Sequence, residues 1–156
     1  EKTNVCRLLD QAGISYKTVA YAVNEDDLGA TTIASELGED IGQGFKTIVL
    51  TGDKTKFIVC VVPGNLEVNL KLAAKASGNK KCEPLLQRLL LSTTGYIRGG
   101  CSPIGMKKHF PTFIDRRALK YNQIYVSAGK RGLQIQIAPN DLASMSQAQF
   151  VDIAAE

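Results

Sequence analysis

The sequence has little of what metal centres and disulfide frameworks require. It contains one histidine, His109, and its cysteines form no C-x-x-C pair; they are Cys6, Cys60, Cys82 and Cys101. Structural zinc sites and disulfide scaffolds use closely paired cysteines or several histidines. We therefore expect reduced thiols, no metal and no other cofactor.

Long hydrophobic runs and a leader-like segment are also lacking. The longest apolar run, Phe57–Val62, is far shorter than the ~20 residues that a membrane helix needs. No basic segment followed by apolar and small residues opens the sequence. These two absences predict a cytoplasmic protein without a membrane partner.

The usual signatures of a protein nucleophile are missing as well. The sequence has no G-x-S-x-G elbow and no P-loop, and a Ser-His-Asp set has only His109 to draw on. His109 follows two lysines, and we assign it to a solvated basic face. Nearby amides or lysines can activate Cys101, although we favour a small residue that fills its loop.

The remaining composition is that of an ordinary globular domain. With 156 residues, of which 44% are hydrophobic and 22% are charged, the chain is expected to form one domain over residues 1–156. The net charge of +4 permits nucleic-acid binding without requiring it. Several basic residues can follow an RNA backbone if the fold gathers them around one site; they are Lys71, Lys75, Lys80, Lys81, Lys107, Lys108, Lys130 and Arg131.

Apolar periodicity and turn residues predict an α+β domain with a mixed or largely antiparallel sheet. Helices are expected at Thr3–Gln11, Thr31–Leu37, Asn69–Ser77 and Pro84–Leu91, with a last helix starting near Asn140. Strands are expected at Ile14–Ala22, Gly44–Leu50, Lys56–Val62, Lys80–Glu83, Thr112–Asp115, Gln123–Ser127 and Leu133–Ile137, with a loop at Asn24–Gly29. The second and third strands are close enough to form a hairpin.

A glycine-rich stretch, Ser92–Lys108, predicts a rigid concave loop. Gly99 and Gly100 have no Cβ to block a ligand, and Pro103 biases Ser102 toward an extended conformation. Such a loop can present backbone N–H groups to a carbonyl, carboxylate or phosphate oxygen. An ordinary glycine-rich connection uses the same residues.

Lys46 and Tyr21 are further candidates for contact with a ligand. Lys46 places a charge at the head of a strand that otherwise reads as buried, where an ammonium can orient an anionic or carbonyl oxygen. On the local sequence alone, a strand-end lysine that extends to water is slightly favoured. The Tyr21 hydroxyl can bind a ligand or close the core.

Taken together, these segments resemble the YbaK/EbsC family of aminoacyl-tRNA deacylases. The signature stretch reads STTGYIRGGCSPIGMKK, and the similarity continues through ISYKTVAY, GFKTIVL, NLKLAAKASGNKKCE and IYVSAGKRGLQIQIAPNDL. The resemblance implies a YbaK-like fold with a mostly antiparallel, barrel-like sheet surrounded by helices. It also implies removal of cysteine from misacylated Cys-tRNA(Pro), with prolyl-tRNA synthetase as a candidate partner and no role for DNA.

The family resemblance assigns roles to particular residues. It places Lys46 at the aminoacyl end, the amides of Gly99 and Gly100 at the oxyanion, and Tyr21 near the ligand; Ser102 and Pro103 complete the loop. In the chemistry that the resemblance implies, the substrate's own thiol attacks its ester carbonyl and expels the tRNA hydroxyl. No protein nucleophile is then needed.

Three residues depart from the family pattern. Leu28 stands where an aromatic residue is expected, Gln134 where an aspartate is common, and Cys101 where an aliphatic residue is usual. These changes leave the activity in place and leave the amino-acid specificity open. The alternatives are hydrolysis of Ala-tRNA(Pro) by an activated water, a non-catalytic tRNA- or nucleotide-binding module, and a protein-interaction domain.

Overall fold

The computed structural model describes residues 2–22 and 40–155, and its largest sheet has five strands. These are β2 (Phe45–Gly52), β3 (Phe57–Pro63), β5 (Cys82–Pro84), β6 (Thr112–Asp115) and β9 (Gln149–Val151), in the order β5-β2-β3-β6-β9. β2 pairs antiparallel with β3 and β5, whereas β6 pairs parallel with β3 and β9. The predicted hairpin is confirmed as β2 and β3.

Three antiparallel strands form a second sheet. They are β1 (Lys17–Ala20), β7 (Ile124–Lys130) and β8 (Leu133–Ile137), with β8 in the middle. Two strands that the sequence did not predict, β4 (Glu67–Val68) and β10 (Ala154–Ala155), form a separate antiparallel pair. The short β9 was also missed, because two or three residues carry too little periodicity to be recognised.

The two larger sheets meet at an isolated parallel bridge between Gly44 and Tyr125. Antiparallel pairs outnumber parallel ones, so the structure is the mixed α+β domain that was expected. No closed barrel is found in the part of the chain that the structure describes, where the strands form separate sheets.

Helices pack around these sheets, and their ends follow local capping rules. The described helices are α1 (Asn4–Ala12), α2 (Leu70–Ser77), α3 (Leu90–Thr94) and α4 (Pro139–Ser146). The Thr3 hydroxyl caps α1 and the Asn69 side chain caps α2. Gly13 and Gly78, at φ 71° and 76°, end these helices in the left-handed region that favours glycine. None of the described helices has the length and apolarity needed to cross a bilayer.

One predicted helix start is wrong. The helix expected at Pro84–Leu91 does not begin at Pro84, because the Leu85 N–H donates to the Val49 carbonyl at 3.0 Å and continues the pairing with β2. A short 3-10 turn follows, and α3 begins only at Leu90. The last helix begins at Pro139, next to the Asn140 start that was expected, with the proline in its first turn. The helix and loop predicted at 31–37 and 24–29 lie outside the described residues.

The central strand β3 is buried on both faces. Val61 packs with α1, α4 and the three-stranded sheet, while Cys60 and Val62 pack against α2. Successive side chains of a strand point to opposite faces, so one strand serves both apolar clusters. This packing holds the neighbouring strand β2, and therefore the backbone of Lys46, in a rigid position.

The thiols are reduced and buried. Cys6, Cys60, Cys82 and Cys101 are all free and all buried, as the sequence predicted for the first three. Burial raises the pKa of Cys60 to about 12. The three cysteines outside the glycine-rich loop thus behave as small apolar core residues.

Candidate active site

A cavity of about 530 Å³ opens between β2, the segment after β5 and the glycine-rich loop. Its described lining includes Tyr21, Lys46, Gly99, Cys101 and Gln134. These residues come from distant parts of the sequence, and the two larger sheets bring them together. Four of the eight residues predicted for catalysis or substrate binding therefore meet at this cavity, namely Tyr21, Lys46, Gly99 and Gln134.

Lys46 extends from β2 into this cavity with a weak partner. Its Nζ lies 3.6 Å from a carboxylate oxygen of Glu67, and the side chains of Lys46 and Glu67 are 30% and 87% exposed. An ion pair with so exposed a carboxylate is screened by water and contributes little. The ammonium is held in the cavity by its strand, and a ligand oxygen can replace the carboxylate.

Gly99 is shaped for its place in the cavity wall. The Gly100 N–H donates to the Ile97 carbonyl at 3.0 Å and closes a turn in which Gly99 has φ 84°. The third residue of such a turn needs a positive φ, which glycine adopts without strain. The glycine at this position is thus explained by backbone conformation, and it leaves the cavity wall without a side chain.

Gly100 has a different role from the one expected. It is buried, and its N–H is already bonded within the turn. A Cβ on Gly100 would lie 3.0 Å from the Lys130 Cα and 3.2 Å from the Arg131 nitrogen, so the loop packs directly on the backbone between β7 and β8. The two glycines therefore do not present two open amides, and only Gly99 lines the cavity.

Ser102 and Pro103 lie behind the cavity wall rather than in it. Both are buried, and neither is among the described residues that line the cavity. The Ser102 hydroxyl accepts a hydrogen bond from the Ile104 N–H at 3.2 Å. These residues brace the loop from inside, which corrects the expectation that they contact substrate directly.

Two of the lining residues carry an unsatisfied polar atom. The Thr47 hydroxyl and the Gln134 side-chain oxygen are buried without a hydrogen-bond partner among the described residues, and both residues line the cavity. Gln134 is only 9% exposed. An unpaired buried polar atom costs about 1–3 kcal/mol, so a ligand that reached these two atoms would gain from pairing them.

Thr47 was not predicted as a site residue. Its signal in the sequence is weak, because a threonine directly after Lys46 is also a good strand former. Only the burial of its hydroxyl without a partner distinguishes it from an ordinary strand residue.

Tyr21 and Cys101 complete the described wall. The Tyr21 N–H donates to the Gly132 carbonyl at 2.9 Å, which extends the pairing of β1 with β8 up to the cavity. Burial raises the pKa of the Cys101 thiol to about 12, and a hydrogen bond with Thr94 opposes this shift. Cys101 is therefore a protonated thiol at neutral pH. Leu28 lies outside the described residues.

Comparison with known proteins places this geometry in context. A sequence model described as the aminoacyl-tRNA editing domain matches residues 25–145. Over 153 residues the chain is 52% identical to a protein of Enterococcus faecalis (strain ATCC 700802 / V583), provisionally named as the Cys-tRNA(Pro)/Cys-tRNA(Cys) deacylase EbsC. That match covers 98% of this chain and 93% of the relative.

Solved structures share the fold at much lower sequence identity. One is a crystal structure of a provisionally assigned trans-editing enzyme for prolyl tRNA synthetase, with a TM-score of 0.84 and 22% identity over the full length of both chains. Another, hypothetical protein APE2540, has a TM-score of 0.88 and 18% identity over 98% of this chain and 100% of its own. At these identities the likeness concerns the fold alone.

Proposed function

Because the chain belongs to the aminoacyl-tRNA editing domain family, we propose that it is a trans-editing deacylase that removes cysteine from misacylated Cys-tRNA(Pro). The relative at 52% identity is named for both Cys-tRNA(Pro) and Cys-tRNA(Cys), and the proposal includes the second substrate. In this proposal residues 1–156 act as one YbaK-like editing domain in the cytoplasm, with prolyl-tRNA synthetase as a further partner.

One observation carries the proposal: a lysine and two residues with unsatisfied polar atoms line the same cavity. Lys46 supplies the charge, and Thr47 and Gln134 supply the unpaired oxygens. An aminoacyl ester carries a carbonyl oxygen and a protonated α-amino group, so it needs both a donor and an acceptor. The donors of the cavity wall are suited to the carbonyl oxygen of the ester, and its acceptors are suited to the α-ammonium group.

The proposed reaction uses the thiol of the substrate as nucleophile. The substrate sulfur attacks the ester carbonyl carbon, a C–S bond forms, and the C–O bond to the terminal ribose breaks. The leaving ribose oxygen takes up a proton, which regenerates the tRNA hydroxyl, and water later opens the cyclic thioester to cysteine. A thiol with an ordinary pKa of about 8.5 supplies some thiolate at neutral pH.

The wall of the cavity is compatible with a reaction that needs no protein nucleophile. The described lining contains no histidine, and its one cysteine, Cys101, is held protonated by its raised pKa of about 12. The Ser127 hydroxyl accepts a hydrogen bond from the Gly129 N–H at 3.1 Å. The protein's contribution is then to hold the substrate in attack geometry and to stabilise the oxyanion.

Each polar residue has a proposed role in that task. The Lys46 ammonium holds the carbonyl oxygen as negative charge develops, with the Gly99 amide as second donor. The Gln134 side-chain oxygen accepts from the α-ammonium group, and the Thr47 hydroxyl binds beside it. Tyr21 closes the pocket.

The loop behind the wall has a supporting role in the proposal. Gly100, Ser102 and Pro103 hold Gly99 in place through the turn and the buried contacts described above. Leu28 remains a proposed substrate-binding residue on the family resemblance alone.

The direct test is deacylation of Cys-tRNA(Pro) and Ala-tRNA(Pro) by the purified protein. We expect rapid loss of cysteine, slow loss of alanine, and a rate about 10²-fold lower in Lys46→Ala, the range for removal of one oxyanion donor. Lys75→Ala is the matched control, because Lys75 is an exposed lysine on α2 away from the cavity lining. Its rate should equal that of the wild type.

The other outcomes identify the alternatives. Equal loss of alanine would replace the thiol mechanism with attack by an activated water, since alanine has no thiol. Binding of tRNA without turnover of either ester, even with prolyl-tRNA synthetase added, would indicate a non-catalytic module.

A further inference from the structure

Two arginines are joined next to the cavity. The Arg131 Nε donates to the Arg98 carbonyl at 2.8 Å, although the residues are far apart in the sequence. The close packing of Gly100 on the Lys130 and Arg131 backbone holds the same two segments together. Arg98 itself lines the cavity beside Gly99. The fold thus brings Arg98 and the Arg131 side chain together at one edge of the candidate active site.

These cations have no acidic partner among the described residues. The ion pairs of the described chain involve Lys2, Lys46, Lys81, Arg116 and Arg117, and none includes Arg98 or Arg131. Unneutralised cations held close together repel each other, and an anionic ligand relieves that repulsion.

The geometry of Arg131 suits one kind of anion. A guanidinium has five N–H donors in a planar fork. The bond from Nε to the Arg98 carbonyl orients that fork and leaves the terminal N–H groups without a protein acceptor among the described residues. A pre-oriented fork matches the paired oxygens of a phosphate and loses less side-chain entropy on binding.

We propose that Arg98 and Arg131 form a phosphate clamp for the single-stranded RNA that leads into the cavity. This rests on the proposed function, because a deacylase must hold the 3′ strand of its tRNA while the terminal ester lies in the cavity. The clamp lies at the edge of that cavity, beside Gly99, where the strand has to enter. It contacts phosphates, so it contributes affinity without reading sequence.

The test measures RNA binding separately from catalysis. An uncharged acceptor-stem hairpin with a single-stranded 3′ end is titrated with protein at several salt concentrations. Arg131→Ala should weaken binding about tenfold and flatten the dependence of log K on log salt by about one phosphate contact. Arg131→Lys keeps the charge without the planar guanidinium, and its affinity for the hairpin should lie between those of the wild type and Arg131→Ala.

A matched control is available in the same protein. Arg7 also donates to a backbone carbonyl, that of Lys2 at 2.6 Å, but it lies on α1 and does not line the cavity. Arg7→Ala should therefore keep the wild-type affinity and salt slope. Arg98→Ala supplies a second variant if Arg131→Ala fails to fold, since the bond from Arg131 goes to the Arg98 backbone carbonyl, which that substitution keeps.

A second substrate distinguishes a clamp from a loop support. Cysteinyl adenosine carries the ester without a phosphate chain, so Arg131→Ala should cleave it at the wild-type rate while Cys-tRNA(Pro) cleavage at low concentration falls about tenfold. An unchanged salt slope, an equal effect of Arg7→Ala, or a matching loss with cysteinyl adenosine would overturn the clamp. A wild-type protein that binds the hairpin with the expected slopes but cleaves neither ester would overturn the proposed function alone.

Discussion

The Lys46 ammonium lies 3.6 Å from the Glu67 carboxylate, and the two differ sharply in exposure. Lys46 is fixed on β2 beside the buried strand β3, whereas Glu67 belongs to the short strand β4 and is 87% exposed. The carboxylate therefore balances the ammonium without holding it tightly. It also places a negative charge in the cavity lining, where it repels an anionic substrate.

Removing that charge should help substrate binding. Glu67→Gln is expected to change the free energy of unfolding by less than about 1 kcal/mol, because exposed pairs contribute little. The KM for Cys-tRNA(Pro) should fall several-fold through lost repulsion. Steady-state kinetics and urea unfolding measure the two effects. Glu83→Gln is the matched control, since Glu83 pairs with Lys81 at 3.2 Å away from the cavity lining; an equal fall in KM there would mean a general charge effect.

Removal of the unsatisfied Thr47 hydroxyl should raise the stability of the protein and lower its activity. Thr47→Val keeps the side-chain shape and removes a buried oxygen that has no partner among the described residues. We expect the unfolding free energy to rise by up to about 1 kcal/mol, and the deacylation rate to fall about tenfold.

Thr94 provides the contrast for this experiment. Its fully buried hydroxyl donates to the Leu90 carbonyl at 2.8 Å and accepts from the Tyr96 N–H at 3.0 Å. Thr94→Val should therefore destabilise the protein by about 1–3 kcal/mol. Destabilisation by Thr47→Val of similar size would show that its hydroxyl is satisfied in solution, and would remove the argument for a ligand contact there.

The buried thiols predict a loss of stability in alkaline solution. Burial raises the pKa of Cys60 and of Cys101 from the ordinary 9.0 to about 12. Above pH 9 the unfolded chain releases these protons while the folded chain retains them, so stability is complete below that pH and falls as the pH rises toward 12. Urea unfolding at several pH values between 9 and 12 measures how steeply the free energy of unfolding falls with pH. The double variant with alanine in place of Cys60 and Cys101 should show a shallower fall.

Cys101 provides a separate test of the catalytic assignment. As a protonated thiol it should react slowly with iodoacetamide at neutral pH in the folded protein. Cys101→Ala should retain deacylation of Cys-tRNA(Pro) within a few-fold. A rate that vanishes in this variant, with folding preserved, would make Cys101 a nucleophile and would overturn attack by the substrate thiol.

Much of the local structure could be predicted because its causes are local. A threonine or asparagine cap and a following glycine define the ends of α1 and α2 within one turn of the helix. Two apolar runs separated by a short turn define the hairpin of β2 and β3. The helix predicted at Pro84 failed because the competing interaction, a hydrogen bond from Leu85 to Val49, comes from a strand far away in the sequence.

In the candidate site, too, features with local causes could be predicted and features with long-range causes could not. Lys46 could be chosen as a candidate from the sequence because a charge stands at the head of an apolar strand, and the family resemblance pointed to the same residue. Thr47 was not recognisable, because its hydroxyl becomes exceptional only when neighbouring segments exclude water from it. The packing role of Gly100 was not recognisable either. No local feature of the sequence reveals that the backbone of Lys130 lies against it.

By itself, then, the sequence determined the helix caps, the hairpin, the reduced thiols and the residues that carry the family resemblance, since these depend on interactions between near neighbours or on side-chain chemistry alone. The tertiary structure decided that the Thr47 hydroxyl and the Gln134 side-chain oxygen are buried without a partner among the described residues. It also decided that Gly100 packs against the Lys130 backbone and that the Arg131 side chain is bonded to the Arg98 carbonyl. Desolvation and contact between distant segments exist only once the two sheets have come together.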